Sequence, residues 1–399
     1  MSFFIRAMNK MSVTWVAIFG VLLAGCSDME IANVETSSRN VISFNVLSNA
    51  VETRVTPINS SNLKSEDFSV FCYTTNGVPF IGCVDVNYNH HGVRIKWYDK
   101  LNKWYYSNLS EVHYWPVDVL NFYAIYPGTT IGRSDEHYEW EFTNKFQGVH
   151  YKCLDEFNTD LPDDNIQVKH KNHDVMYGIA REQVYSTNNG VVKFHFKHIL
   201  SQIVFKAKKN LESMTVTIKD IKLHNIKQGG TFTYPDVQYT KADVETSRDC
   251  WSKVDEADTY SPYIIKDGNI SVGTDDTDIT VSGDSPSLVV PQGVTAWVVS
   301  GDDKKNIAGA DEVGQSYLSV TCILKQNGQD LTTTDDAGYS TVYIPFSADW
   351  MPGKRYVYTL IFGGVMTPTE KLFLPRSILM QRWKTGKMEI MTSTAKRLK

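Results

Sequence analysis

The 399-residue sequence carries none of the short signatures on which common enzymes are built. It has no GxSxG, no HExxH, no GxxxxGK[ST] and no GxGxxG set between a strand and a helix pattern. The strained serine turn, the helical zinc pair and the phosphate cradle are therefore all missing. No two of its six cysteines stand at CxxC spacing, which removes zinc ribbons and thioredoxin-like redox motifs. Forty basic against 45 acidic side chains give a formal net charge of -5. No basic block is long enough to track a phosphate backbone, so nucleic acid is not an expected partner. No long stretch shows the i, i+3, i+4 apolar spacing of an amphipathic helix. No apolar run reaches the ~20 residues that a membrane-spanning helix needs. The expectation is a non-enzyme with neither cofactor nor metal.

What is present begins at the N-terminus. Arg6 and Lys10 precede an apolar run at 13–24 (VTWVAIFGVLLA), the build of a secretory signal. Leu23, Ala24, Gly25 and Cys26 resemble a bacterial lipobox, in which small residues fit the signal peptidase and the thiol accepts a diacylglycerol. Residues 1–25 then form a lipoprotein signal peptide and Cys26 becomes the lipidated first residue of the mature chain. The alternative is an ordinary cleaved signal with an incidental cysteine. Acyl chains contribute about 0.8 kcal/mol per buried methylene, and more than one chain gives stable anchoring. Residues 26–40 are polar and weakly periodic, which suits a flexible tether.

After the tether the pattern becomes short alternating runs: VISFNV at 41–46, FSVFCY at 68–73, VRIKWY at 93–98 and VLNFYAIYP at 119–127. Turn signals separate them at strand-sized intervals. Residues 152–174 are polar and proline-containing and read as a long connection, after which a second β series runs from VVKFHFKHILSQIVFKAKK to RYVYTLIF. The chain is expected to be all-β, with sandwich domains at 41–188 and 189–399.

Trp97, Trp104, Tyr105, Tyr106, Tyr114, Trp115, Phe122, Tyr123 and Tyr126 crowd one short span. They read as core and cross-strand packing in preference to a platform for stacking sugars. Cys72 and Cys83 flank a Gly-Val-Pro turn, compatible either with a hairpin disulfide or with two thiols. His90 and His91 read as turn residues. The carboxylates at 155–164 and 273–278 read as solvated loops, since neither run has EF-hand spacing. His198, among apolar strand residues, reads as a core or edge histidine.

Five segments in order carry a resemblance: EVHYWPVDVLNFYAIYP at 111–127, DVMYGIA at 174–180, VVKFHFKHILSQIVFKA at 191–207, IKLHNIKQGGTFTY at 221–234 and DWMPGKRYVYTLIF at 349–362. Behind a lipobox, this series resembles the fimbrillin family of lipoprotein-derived pilus subunits and related anchor and tip proteins of Gram-negative gut and oral bacteria. The resemblance implies two transthyretin-like β-sandwiches, export as an outer-membrane lipoprotein, and other fimbrial subunits as partners. It also implies removal of an N-terminal segment by an arginine-specific protease, for which Arg54 and, second, Arg39 are the candidates. The vacated place would be filled by strand exchange. The acidic residues after Cys26 look like the signal that sends such lipoproteins to the outer face. Two alternatives stay open: a non-polymerising fimbrial anchor, and a surface lipoprotein that binds glycans through exposed aromatic rings. If Cys26 accepts the lipid, Cys26→Ala abolishes incorporation of radiolabelled palmitate, and equal labelling of the variant refutes the assignment.

Overall fold

A strand whose apolar residues occupy both parities must be covered on both faces, and FSVFCY is such a strand. In the computed structural model it becomes Asp67–Thr74, buried along nearly its whole length. The model describes residues 40–47, 63–82, 92–128, 138–142, 146–152, 155–157, 168–170, 174–252, 254, 263–280, 287–298, 314–332, 334–363, 378–384 and 387–390. Among these residues there is no α-helix, only strands and short 3-10 turns. The all-β expectation holds.

The first sheet has the spatial order Val191–Phe194, Ser43–Val46, Lys103–Tyr106, Val93–Tyr98, Asp67–Thr74, Leu120–Tyr126, Met176–Gln183 and Lys197–His198, with Pro79–Ile81 also on Asp67–Thr74. One face packs Phe68, Val70, Cys72, Phe122 and Ala124 into an aromatic-rich core with Phe44, Trp104, Tyr106, Trp115 and Phe194. The opposite face presents Phe71, Tyr73, Tyr123, Ile125, Tyr177 and Ile179 to a second, larger core.

That larger core is shared with the C-terminal half. Ser201–Lys209 runs parallel to Arg355–Phe362 in one sheet, and Met214–His224 lies antiparallel to Tyr317–Gln326 in another. Their inner residues, Ile203, Phe205, Ile218, Ile221, Leu318 and Tyr358 among them, belong to the same buried cluster as Phe71 and Tyr123. Met214–His224 shows the alternation expected of a strand with one wet face.

A four-stranded sheet joins the halves directly. Gly229–Thr233 pairs with Phe146–Lys152, so chain from before and after the connection lies in one ladder with Tyr138–Phe142 and Trp251–Ser252. Around it Tyr234 stacks on Tyr123, with ring centroids 5.6 Å apart, and donates its hydroxyl to the Ala124 carbonyl at 2.7 Å. Trp251 Nε1 donates to the Ile199 carbonyl at 3.0 Å.

Several expectations need revision. The division at 188/189 cuts through the first sheet, because Val191–Phe194 and Lys197–His198 both belong to it. Alternation marks strands but not the sheet they join. Within the expected connection, Asp155–Phe157 and Val168–His170 pair antiparallel. The C-terminal run continues the strand ladder past Phe362: Ile378–Lys384 pairs with Arg355–Phe362, and Lys387–Ile390 folds back on it. Cys72 is fully buried in the first core, while Cys83, the signal peptide and residues 26–39 of the tether lie outside the described residues.

Because Phe232 lies in the sheet that draws on both halves, Phe232→Ala should cost about 3–5 kcal/mol. In calorimetry it should shift one cooperative transition. Two transitions, of which only one moves, would show that the halves unfold independently.

Candidate functional site

The first strand, Ser43–Val46, occupies an interior position in its sheet. It runs parallel to Val191–Phe194 in the register Ser43↔Val191 to Val46↔Phe194, and antiparallel to Lys103–Tyr106 through Phe44↔Trp104. Flanking hydrogen bonds lengthen the contact. Ile42 N–H donates to the His113 carbonyl at 3.0 Å, Leu47 N–H to the Phe194 carbonyl at 2.8 Å, and Trp115 N–H to the Asn40 carbonyl at 2.8 Å. Ile42 is 0 % and Phe44 3 % exposed, while Asn45 faces solvent. The Phe44 ring stands edge-on to Tyr106 at 5.6 Å and to Phe122 at 6.4 Å, and lies parallel to Phe194 at 6.4 Å. Full burial of two such side chains contributes about 1.5–3 kcal/mol each.

A turn in the sequence STNNG positions the parallel neighbour. Asn188 and Asn189 each take φ 54° and Gly190 takes φ 78°, a left-handed run that asparagine and glycine tolerate. A Cβ at Gly190 would stand 3.0 Å from the Tyr185 ring and 3.1 Å from Trp115 Nε1. That indole nitrogen donates to the Gly190 carbonyl at 3.0 Å. Trp115 thus ties the start of Val191–Phe194 to the entry of the first strand. The seat is apolar within and bordered by backbone on both sides.

Cys26, Arg39 and Arg54 lie outside the described residues. Their order along the chain is still informative, since the strand at 43–46 lies between the two arginines. A cut after Arg39 leaves the strand attached to the body; a cut after Arg54 separates it.

Most of the aromatic cluster is core: Trp104, Tyr105, Tyr106, Trp115, Phe122, Tyr123 and Tyr126 are buried, and Tyr114 is half exposed. Trp97 is partly covered, its ring under Lys64 Nζ at 3.9 Å and its Nε1 donating to Asp99 at 2.8 Å. A glycan-stacking face would require these rings open, and the lysine already occupies one of them. Asp276 and Asp278 pair with Lys208 and Lys206 at 3.8 and 3.2 Å. His90 and His91 lie outside the described residues. Burial pushes the Cys322 thiol up to about 12 and raises that of Cys250, away from the thiolate that a cysteine nucleophile needs. One pairing was invisible in the sequence: Asp174, with its side chain 1 % exposed, meets His198 at 2.7 Å. The strand pairing Met176↔His198 brings these distant positions together.

The described chain is all-β, and its first strand fills a backbone-lined seat. The family follows from comparison. A family model described as fimbrillin-like matches residues 53–373, and the chain belongs to that family. Its relatives include the fimbrium subunit Fim1C of Phocaeicola vulgatus, 24% identical over 326 residues that cover 75% of this chain and 78% of that protein. A fimbrial protein of Bacteroides vulgatus has a similar fold, with TM-score 0.52 and 15% identity over 88% of this chain and 100% of the other. The fimbrial anchor protein Mfa2 of Porphyromonas gingivalis covers 88% of this chain and 99% of its own at 9% identity, but with TM-score 0.33 it is too distant to bear on role. The protein is thus of a fimbrial, cell-surface kind.

If Phe44 fills the seat as described, Phe44→Ala lowers stability by about 3–5 kcal/mol in denaturant titration. Asn45→Ala, on the wet face, changes it by less than about 0.5 kcal/mol. Equal effects would refute the placement.

Proposed function

We propose that this protein is a subunit of cell-surface fimbriae, exported as an outer-membrane lipoprotein through Cys26 and assembled by strand exchange in its first sheet. The observation that supports this most directly is the interior place of Ser43–Val46. A cut after Arg54 releases the lipid and this strand together. It leaves Val191–Phe194 and Lys103–Tyr106 facing each other across a gap, each with an unpaired backbone edge, above an apolar strip that Ile42 and Phe44 had covered. Such a gap favours an incoming extended segment, which restores ladder hydrogen bonds and buries alternate side chains. The donor would be a C-terminal strand of a neighbouring subunit. A cut after Arg39 has a different consequence: the lipid leaves but the seat stays filled. A subunit that retained its lipid, as a base anchor must, would be cut at neither site.

An arginine-specific protease followed by size analysis tests the proposal. Cleavage after Arg54 should convert monomer into ladders or filaments, and Arg54→Ala should stay monomeric. Persistent monomer after complete cleavage at Arg54 would count decisively against strand exchange.

A further inference from the structure

The link between the first sheet and the C-terminal half passes through Lys197–His198 and on to Ser201–Lys209. Several elements converge on this joint. Ile199 N–H donates to the Val175 carbonyl at 3.0 Å, Gly353 N–H to the Leu200 carbonyl at 2.8 Å, Ser201 Oγ to the Met351 carbonyl at 2.8 Å, and Trp251 Nε1 to the Ile199 carbonyl. Beneath them lies the Asp174–His198 pair. Nδ1 and Oδ2 stand 2.7 Å apart, and among the described residues no other group donates to the buried Asp174 side chain. A buried carboxylate with no other donor depends on a counter-charge, and the imidazole of His198 can supply one only while it holds its second proton.

The other titratable groups around the joint have partners of their own. Lys197 Nζ donates to the Ala242 and Val244 carbonyls at 2.7 and 2.8 Å, and Lys354 pairs with Glu245. Asp243, which faces Lys197 and His195, completes the set on the segment 242–246. This segment, Phe196 to His198 and the turn at 352–354 enclose a cleft of about 310 Å³ beside the histidine, into which the joint could relax.

We propose that Asp174 and His198 form a proton-operated latch on the joint between the first sheet and the C-terminal half. The protonated pair holds the crossover at 197–201 closed, and loss of the proton leaves a buried carboxylate beside a neutral ring and loosens it. Burial alone lowers the proton affinity of His198, but the charge of Asp174 and the hydrogen bond to it together override this and hold the imidazole above its ordinary range. A group whose folded value is raised contributes stability that is fully present below its unfolded value of ~6.5 and is lost as pH rises through the folded value. The latch is therefore closed below pH ~6.5 and opens as pH rises through the raised value of His198.

Hydrogen exchange of the full-length chain at about pH 5.5 and about pH 8.5, corrected for intrinsic exchange rates, tests this. Protection at Ile199 and Gly353 should fall by about tenfold or more at the higher pH, while that of Met214–His224 holds. Asp174→Asn should abolish the difference. The His198 imidazole, followed by NMR in the wild-type protein, should titrate above its ordinary value and so test the latch even if the variant fails to fold. Equal protection at both pH values, a variant that keeps the full difference, or an imidazole that titrates at or below its ordinary value would each overturn the proposal. None of these outcomes depends on strand exchange.

Discussion

The structure depends on burial of the first sheet on both faces. Phe68 and Val70 point into one core, and Phe71 and Tyr73 into the other, from a single strand. Each core is then a boundary condition for the other, because a shift of Asp67–Thr74 or Leu120–Tyr126 to improve packing on one side would open a void on the other. Interiors packed at crystal-like density resist such shifts. The C-terminal half is held to the first sheet by the second of these cores, not by a linker alone, and Tyr123, Tyr177, Phe232 and Tyr234 form its aromatic seam.

That arrangement separates what must stay from what could be exchanged. Ser43–Val46 contributes Phe44 only to the aromatic-rich core on one face, together with its neighbour Ile42. The larger core contains neither residue. Removal of the strand would open one face of the sheet and leave the seam with the C-terminal half covered. An assembly step confined to this seat would therefore act on a scaffold whose other face is still packed.

Much of the fold was legible in the sequence because strand alternation is a local property. VISFNV, VRIKWY and RYVYTLIF became strands near their expected limits, and the aromatic span proved to be mostly core. The relations between distant segments were not legible. Parallel pairing of Ser43–Val46 with Val191–Phe194 joins residues almost 150 positions apart, and nothing in either stretch encodes its partner. That Val191–Phe194 and Lys197–His198 join the first sheet was illegible for the same reason: a turn within one sheet looks locally like a linker between two. His198 has the sequence surroundings of a core or edge histidine, but its partner Asp174 lies just before the strand Met176–Gln183, and only the fold reveals that pair.

The energetics of exchange set a condition on any donor. The resident strand is bound intramolecularly, so a free donor of equal contact quality would be disfavoured by the entropy of association. An intact seat should thus stay filled by its own strand, at very high effective concentration because residues 47 and 63 are joined by a short stretch of chain. Cleavage between them reverses this balance: once the covalent link is cut, the resident strand becomes just another peptide that can dissociate and be diluted away. A donor that is itself part of a folded neighbour then competes on better terms, because it arrives in an assembly that can add further contacts. On this argument Arg54 and Arg39 are not interchangeable, since only a cut between the strand and the body ends the advantage of the resident strand.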